Sequence, residues 1–331
     1  MNVTTLIPAY KPKYLHDLLI ALKYQTVKPT RIIISDDSPD RAFRTALSSE
    51  PMRSAIADMN IEVIDGPRAG AYANILHLLD AWNGSTPLVH MLFDDDVIYP
   101  EFYASHVAVQ QTNLFGCSIS RRWTATESGQ PVGQLPRPDA VAQHSSRVLS
   151  LDPGNAFLST VPACNNWFGE FSNTVFNQEV AGLLRDPRMA GISYLGLADI
   201  GLFLTSSLTR PLCLINESLG YFRMNPEQTT QQRSSHAYHL AVIAWAALAV
   251  SGVRLGKLSR DQAAQTFRIV QSFVINLLPG SEHLAAFGEL LRNLIEGAPS
   301  ADDRFVEAWH AFISARSLVA QPIPATTHGV L

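Results

Sequence analysis

The sequence predicts an α/β fold: a doubly wound, mostly parallel sheet followed by a helical C-terminal region. Three observations carry that prediction. In the first hundred or so residues, β-branched apolar runs alternate with leucine stripes at helical spacing. Three of those runs lead directly into short Pro, Ser or Asp motifs, "PAY", "SDDS" and "DDD". Beyond about Pro226 the strand-like runs stop and long helical patterns follow one another.

Taken in order, "VTTLIP" is a first strand, and Leu15, Leu18, Leu19 and Leu22 fall at the i, i+3, i+4, i+7 spacing of one buried helix face. "RIIISDD" is a second strand, "RAFRTALSSEPMRSAIADM" a polar helix and "IEVID" a third strand. Ile75, Leu78, Leu79 and Trp82 form a second buried stripe, and "LVHMLFDDD" ends the alternation. From Phe102 to Arg223 the pattern is mixed, with short strands at "LFGCSIS" and "TVFNQ" and a hairpin at "TESGQPVGQLPRP". The later helices are "HLAVIAWAALAV", "SRDQAAQTFRIVQSFVINLL" with Ser259 as its cap, "SEHLAAFGELLRNLIEG" and "ADDRFVEAWHAFISA". The stretch Leu240 to Val250 is expected to be a buried helix, since crossing a bilayer takes about 20 apolar residues. The final "QPIPATTHGVL" reads as a loose tail.

With 331 residues, 47% of them hydrophobic, the chain can bury a large core. A charged fraction of 16% and a net charge of -4 argue against binding to DNA, RNA or an anionic membrane through overall charge, so an anionic ligand must be held locally. Cys117, Cys164 and Cys213 are scattered, without metal-ligand spacing, which fits buried side chains in a reduced compartment. "MNVTTLIPAY" lacks the basic region and long apolar core of a signal peptide, so a cytoplasmic location is expected, compatible with peripheral membrane association.

Ligands of doubly wound sheets bind at the carboxyl ends of the strands. There the sheet gathers "PAY" (Pro8 to Tyr10), "SDDS" (Ser35 to Ser38) and "DDD" (Asp94 to Asp96) into one acidic pocket. Adjacent carboxylates at the end of a buried strand repel one another and lose hydration, which calls for a cation the neighbouring sequence does not supply. Mn²⁺ or Mg²⁺, which prefer carboxylate and water oxygens and are often completed by substrate phosphates, would fit. At the pocket edge Asp37 can accept the ring N–H of uracil, thymine or guanine, a donor that cytosine lacks.

These residues resemble a known family. "TTLIPAYKPKYLHDLLIALKYQTVKPTRIIISDDSPD" is similar to the opening of family-2 glycosyltransferases, and the likeness continues through Gly70, Asn74 and "FDDDV", which matches the Asp-x-Asp motif of the GT-A fold. "NNWFGEFSNTVFNQ", "GLADIGLFL" and "LGYFRMNPEQTT" resemble later segments, so about the first 230 residues are covered. The resemblance implies transfer of a sugar from a nucleotide diphosphate donor, UDP- or dTDP-linked, to a glycan, lipid-linked or protein acceptor, with a divalent metal and inversion at the anomeric carbon. Pro8, Ala9 and Tyr10 would line the base pocket, Asp37 would bind the base, and Asp94, Asp95 and Asp96 would hold ribose and metal. Asp96 is the favoured metal ligand, with Asp95 the other possibility. Glu170 would bind acceptor hydroxyls and Asp199 would be the general base, with a helix N-cap as its structural alternative. The implied division is residues 1–101 for the donor half, 102–225 for the acceptor half and 226–331 for the helical region.

The chain departs from the family pattern in places. Asp37-Ser38-Pro39 replaces Asp-Gly-Ser, Ala73 replaces an Arg, Ala198 replaces the Glu of a Glu-Asp pair, and Asn225 replaces a His. Arg68 is the nearby cation that would reach the phosphates instead. These changes keep a non-catalytic sugar-nucleotide or glycan-binding module as an alternative. "LFDDDV" also resembles the Asp-x-Asp strand of haloacid dehalogenase phosphatases, although that motif normally follows the first strand. Arg121 and Arg122 read as a surface basic pair, His236 and His239 as non-ligands, and Trp167 and Trp245 as core.

Overall fold

The computed structural model describes residues 1–225, 234–277 and 282–317. The "PEQTT" stretch of the third later segment and the "QPIPATTHGVL" tail lie outside the described residues. Strands β1 (Val3–Ala9), β2 (Arg31–Asp36), β3 (Ile61–Asp65) and β4 (Leu88–Met91) come first, followed by β5 (Val97–Ile98), β6 (Cys117–Ala125), β7 (Pro131–Gln134), β8 (Val148–Leu151) and β9 (Thr174–Asn177). A small ribbon of β10 (Arg188–Met189) and β11 (Ile192–Ser193) precedes the long β12 (Leu212–Arg223). The main sheet runs β3-β2-β1-β4-β9-β6-β12-β5, with β7 beside β6 and β8 beside β12. β1 pairs in parallel with β2 and β4, β2 with β3, and β6 with β12, whereas β9 is antiparallel to both of its neighbours. This is the expected α/β architecture with a mostly parallel sheet and a helical C-terminal region.

The helices are α1 (Leu15–Lys23), α2 (Ala42–Leu47), α3 (Glu50–Ile56), α4 (Ala71–Trp82), α5 (Phe102–Gln110), α6 (Asp139–Ala142), α7 (Pro153–Thr160), α8 (Gln178–Leu183) and α9 (Ala198–Ser207). Four more, α10 (His236–Arg254), α11 (Arg260–Ser272), α12 (Glu282–Glu296) and α13 (Ala301–Ser317), complete the described chain. Because successive strand residues point to opposite faces, the sheet separates two cores. Leu6, Ile33, Val89, Met91, Ile119 and Leu214 face the core shared with α4 and α10. Ile7, Ile32, Ile34, Leu88, Cys213 and Ile215 face the core shared with α1, α2 and α5. Both predicted leucine stripes, on α1 and α4, are buried as expected.

Two sequence expectations change. The polar helix over residues 41–59 is two helices, broken between Leu47 and Glu50, where Pro51 sits in the first turn of α3 and cannot continue an earlier helix. The apolar Leu240–Val250 stretch belongs to the longer α10, which at 19 residues is long and apolar enough to cross a membrane by length and composition. In the fold, 61% of its most apolar window is buried by protein. The Ser251 hydroxyl at its end donates to the Met189 carbonyl (3.2 Å), and Trp309 Nε1 of α13 donates to Ser193 O (2.7 Å), pinning the helical region onto the β10–β11 ribbon. Ser259 caps α11 in a capping box with Gln262, as its position predicts.

Candidate active site

β1, β2 and β4 end side by side, since Ala9 pairs with Asp36 and Leu6 with Met91. Pro8 and Ala9 are buried in β1, and Tyr10 emerges at the edge, 44% exposed. Of the paired aspartates, Asp36 is consumed by its own loop: Oδ1 accepts from Ser38 N (3.0 Å) and Oγ (2.5 Å), and Oδ2 from Arg44 N (2.8 Å). Asp37 stays partly exposed, and among the described residues only its Oδ1 is engaged, by the Arg68 backbone N–H at 2.5 Å. That leaves its other oxygen for a ligand. Arg68 is exposed, and among the described residues its guanidinium meets no hydrogen-bond or ion-pair partner.

The three adjacent aspartates are all buried, yet their surroundings differ. Asp94 Oδ2 accepts the backbone N–H groups of Tyr10 (2.5 Å) and Lys11 (2.6 Å), so it fixes the loop after β1. Burial, and then the charge of Asp95, push its pKa up to about 7 despite those donors. Asp95 Oδ2 is compensated by protein, through Lys11 Nζ (3.0 Å) and Asn225 Nδ2 (3.0 Å). Asp96 is not. Its Oδ1 accepts from Arg223 N (3.1 Å), while Oδ2 is buried without a hydrogen-bond partner among the described residues. Burial first and Asp95 second raise its pKa well above the ordinary value. A hard cation would compensate Oδ2, and a carboxylate oxygen is a donor that Mn²⁺ or Mg²⁺ takes; among the described residues no group of three ligand side chains could hold it, so the other ligands would be water and substrate oxygens.

Arg223, at the end of β12, holds this edge together from a fully buried position. Its Nε donates to Asp95 O (2.9 Å), Nη1 to Glu127 O (2.5 Å) and Nη2 to Asp17 Oδ2 (2.8 Å), with the guanidinium stacked over Tyr14. The motif resemblance included Arg223, but its role as an anchor is visible only in the structure.

Glu170 is not a solvated loop residue, and Arg122 is not half of a surface pair. Arg122, 7% exposed, grips Glu170 in two parallel bonds of 2.9 and 2.5 Å and lies 4.7 Å from the centre of the Phe222 ring. With Asp96, Ser172 and Tyr221, these side chains line a small cavity. The sequence carried no signal for the pairing beyond the "NNWFGEF" motif itself.

Asp199 lies in the first turn of α9, one residue after its start, and the N-cap position belongs to Leu197. Asp199 is therefore not the N-cap residue, although its side chain does satisfy a first-turn N–H. Its Oδ1 accepts the adjacent Ile200 N–H (2.8 Å), and its Oδ2 lies 3.4 Å from Asn166 Nδ2. Though partly exposed, the carboxyl is pushed up to about 7 by the protein packed around it, with the Glu170 charge adding to the effect. Glu170 raises both Asp96 and Asp199, so these three carboxyls share one region. Trp167 is core, as expected.

Sheet order and acidic edge together define a GT-A type α/β fold with a carboxyl-end site. No protein-family model matches the sequence, and no curated protein sequence matches it. Solved structures do. The chain is similar to S. aureus TarS, with 15% identity and a TM-score of 0.55 over 96% of its length, and it spans 53% of that chain, about half. TarS 1-349 in complex with UDP gives 14% identity and a TM-score of 0.51, covering 96% of this chain and 88% of that one. The mannosyltransferase PcManGT from Pyrobaculum calidifontis, in complex with GDP-Man and Mn²⁺, gives 13% identity and a TM-score of 0.48, covering 97% and 88%. What is shared at these identities is the fold.

Proposed function

We propose that this protein is a metal-dependent, inverting glycosyltransferase that moves a sugar from a UDP- or dTDP-linked donor to a hydroxyl of a glycan, lipid-linked or protein acceptor in the cytoplasm. The observation that carries this reading is the buried, unpartnered Oδ2 of Asp96 at the carboxyl edge of the sheet, with Asp95 already neutralised by Lys11. A structure with the same fold is a complex with UDP, which supports a nucleotide diphosphate as ligand. Bound at Asp96, a divalent ion supplies neutralising charge for the departing diphosphate.

The protein's own residues do the rest. Tyr10 and the free oxygen of Asp37 present a stacking face and a hydrogen-bond acceptor to the base, and Arg68 carries a positive charge beside them. Glu170, oriented by Arg122, offers a carboxylate edge to acceptor hydroxyls. Asp199, with a pKa near 7, takes the proton of the attacking hydroxyl as the new bond forms. With Asp199 as the base, the reading is a direct displacement with inversion. The phosphatase alternative is disfavoured because the acidic run follows β4, not the first strand. The test is nucleoside diphosphate release from a panel of nucleotide sugars with Mn²⁺ and with EDTA. Release from UDP- or dTDP-sugars in Mn²⁺ alone is expected, and binding without release from any donor would leave the non-catalytic module instead.

A further inference from the structure

Strand alternation sends the two neighbouring arginines of β6 in different directions. Arg122 reaches Glu170, while Arg121 enters a groove lined by Gln134, Leu135, Arg137, Trp167, Phe168 and Asn216. There the partners are neutral. Arg121 donates to the Gln134 side-chain oxygen, and Arg137 Nη1 donates to Asn216 Oδ1 at 2.9 Å. The amides are themselves held, Gln134 Nε2 by Ser218 Oγ (2.8 Å) and Asn216 Nδ2 by Ser146 O (3.4 Å). Among the described residues no carboxylate pairs with either guanidinium, and Glu217 in the same strand is already taken by Arg147.

Two guanidiniums that line one groove, each bonded to a neutral acceptor, carry positive charge that no described carboxylate pairs with. Burial, and then the charge of Arg137, lower the pKa of Arg121, in keeping with two cations that line the same groove. An arginine fork is suited to the paired oxygens of a phosphate or carboxylate. The position of the groove is equally informative. Arg122 lines both this groove and the cavity containing Asp96 and Glu170. Trp167 and Phe168 in its wall follow Asn166, whose side chain approaches Asp199.

Resting on the transferase reading, we propose that Arg121 and Arg137 form an anion subsite for the acceptor, which therefore carries a phosphodiester or carboxylate group near the hydroxyl to be glycosylated. Calorimetric titration at low ionic strength in EDTA tests this with three probes: glycerophosphoglycerol for the phosphodiester, oligogalacturonate for the carboxylate and maltopentaose as the neutral control. One anionic probe is expected to bind and to weaken with added salt, and its identity names the source of the charge. Arg121→Gln and Arg137→Gln should each lower that affinity about tenfold, the loss of one charge-assisted bond pair. Arg137 lies in the loop after β7, so its variant keeps the test usable should Arg121→Gln fold poorly. Anionic probes that bind no better than maltopentaose, or variants that bind like wild type, would overturn the subsite. UDP and dTDP binding in Mn²⁺, measured on the same preparations, separates the two readings. Nucleotide binding without anion binding sinks only the subsite, and arginine-dependent anion binding without nucleotide binding supports the subsite while sinking the transferase.

Discussion

At the scale of single residues, Asp199 and Asp96 share a raised pKa and owe it to burial, but they make opposite demands. A base must be free to accept a proton, whereas a metal ligand must give one up. Since Asp199 ionises near 7 in the unliganded protein, kcat/KM should rise with pH through about 7 and level off above it. Asp199→Asn should lose about 10²–10⁴ of the transfer rate while nucleotide affinity stays within about twofold of wild type. An Asn variant that turns over normally would exclude the role. Asp96→Asn makes a different prediction, because the ionised side chain is unfavourably placed until a cation arrives. Without metal at about pH 8 the variant should be at least as thermally stable as wild type, yet it should lose the Mn²⁺-dependent gain in nucleoside diphosphate affinity. A clear drop in metal-free stability would show that Asp96 is a structural group.

At the scale of elements, the site depends on where β12 ends. Its last residue, Arg223, joins the acidic loop after β4, the turn at Glu127 and the start of α1 through one guanidinium. Replacing it with Met would leave the Asp95 and Glu127 carbonyls without their donor and Asp17 without its partner. The half-exposed Asp17 is solvated by water, so the cost comes from the orphaned carbonyls and is about 1–3 kcal/mol. Urea unfolding of Arg223→Met is expected to show that loss, and a change below about 1 kcal/mol would mean that the network is dispensable. The break between α2 and α3 belongs to the same scale: Pro51 is a local signal, present in the sequence, that outweighs the helical pattern around it.

For the whole molecule, protons and a divalent cation compete for one acidic edge. Asp94 and Asp199 are raised to about 7 and Asp96 is raised as well, so the folded state keeps protons that the unfolded chain releases near pH 4. The stability these groups contribute is therefore present at low pH and is lost as pH rises through about 7. Buried His90, held down to about 3, acts with the opposite sign at lower pH, since the unfolded chain takes up its proton below about 6.5. The cleaner measurement is the stabilisation given by Mn²⁺, to which neutral His90, bonded to Tyr103 and to Ser172 O, does not contribute. The Mn²⁺-induced rise in thermal midpoint should be small near pH 5 and grow through about pH 7, as ligand protons are displaced. A shift independent of pH would place the metal elsewhere.

The sequence by itself determined the layered architecture, because hydrophobic periodicity is written within one or two turns of helix or a few strand residues. The stripes of α1 and α4, the buried runs of β1, β2 and β4, and the cap at Ser259 are all local patterns, and all were legible. The placing of Tyr10, Asp37 and Asp94 to Asp96 at strand carboxyl ends was legible too, while the pairing of β1 with β2 and β4 that brings those ends together is tertiary. The tertiary structure decided which of the three aspartates is left uncompensated. Lys11 and Asn225 answer Asp95, the Tyr10 and Lys11 backbone answers Asp94, and nothing among the described residues answers Asp96 Oδ2. Likewise Arg223 meets Asp17 across 206 residues, and Arg122 meets Glu170 across 48. A side chain's charge is legible in its letter. Its partner is set by how distant strands close into one sheet, and no local periodicity carries that information.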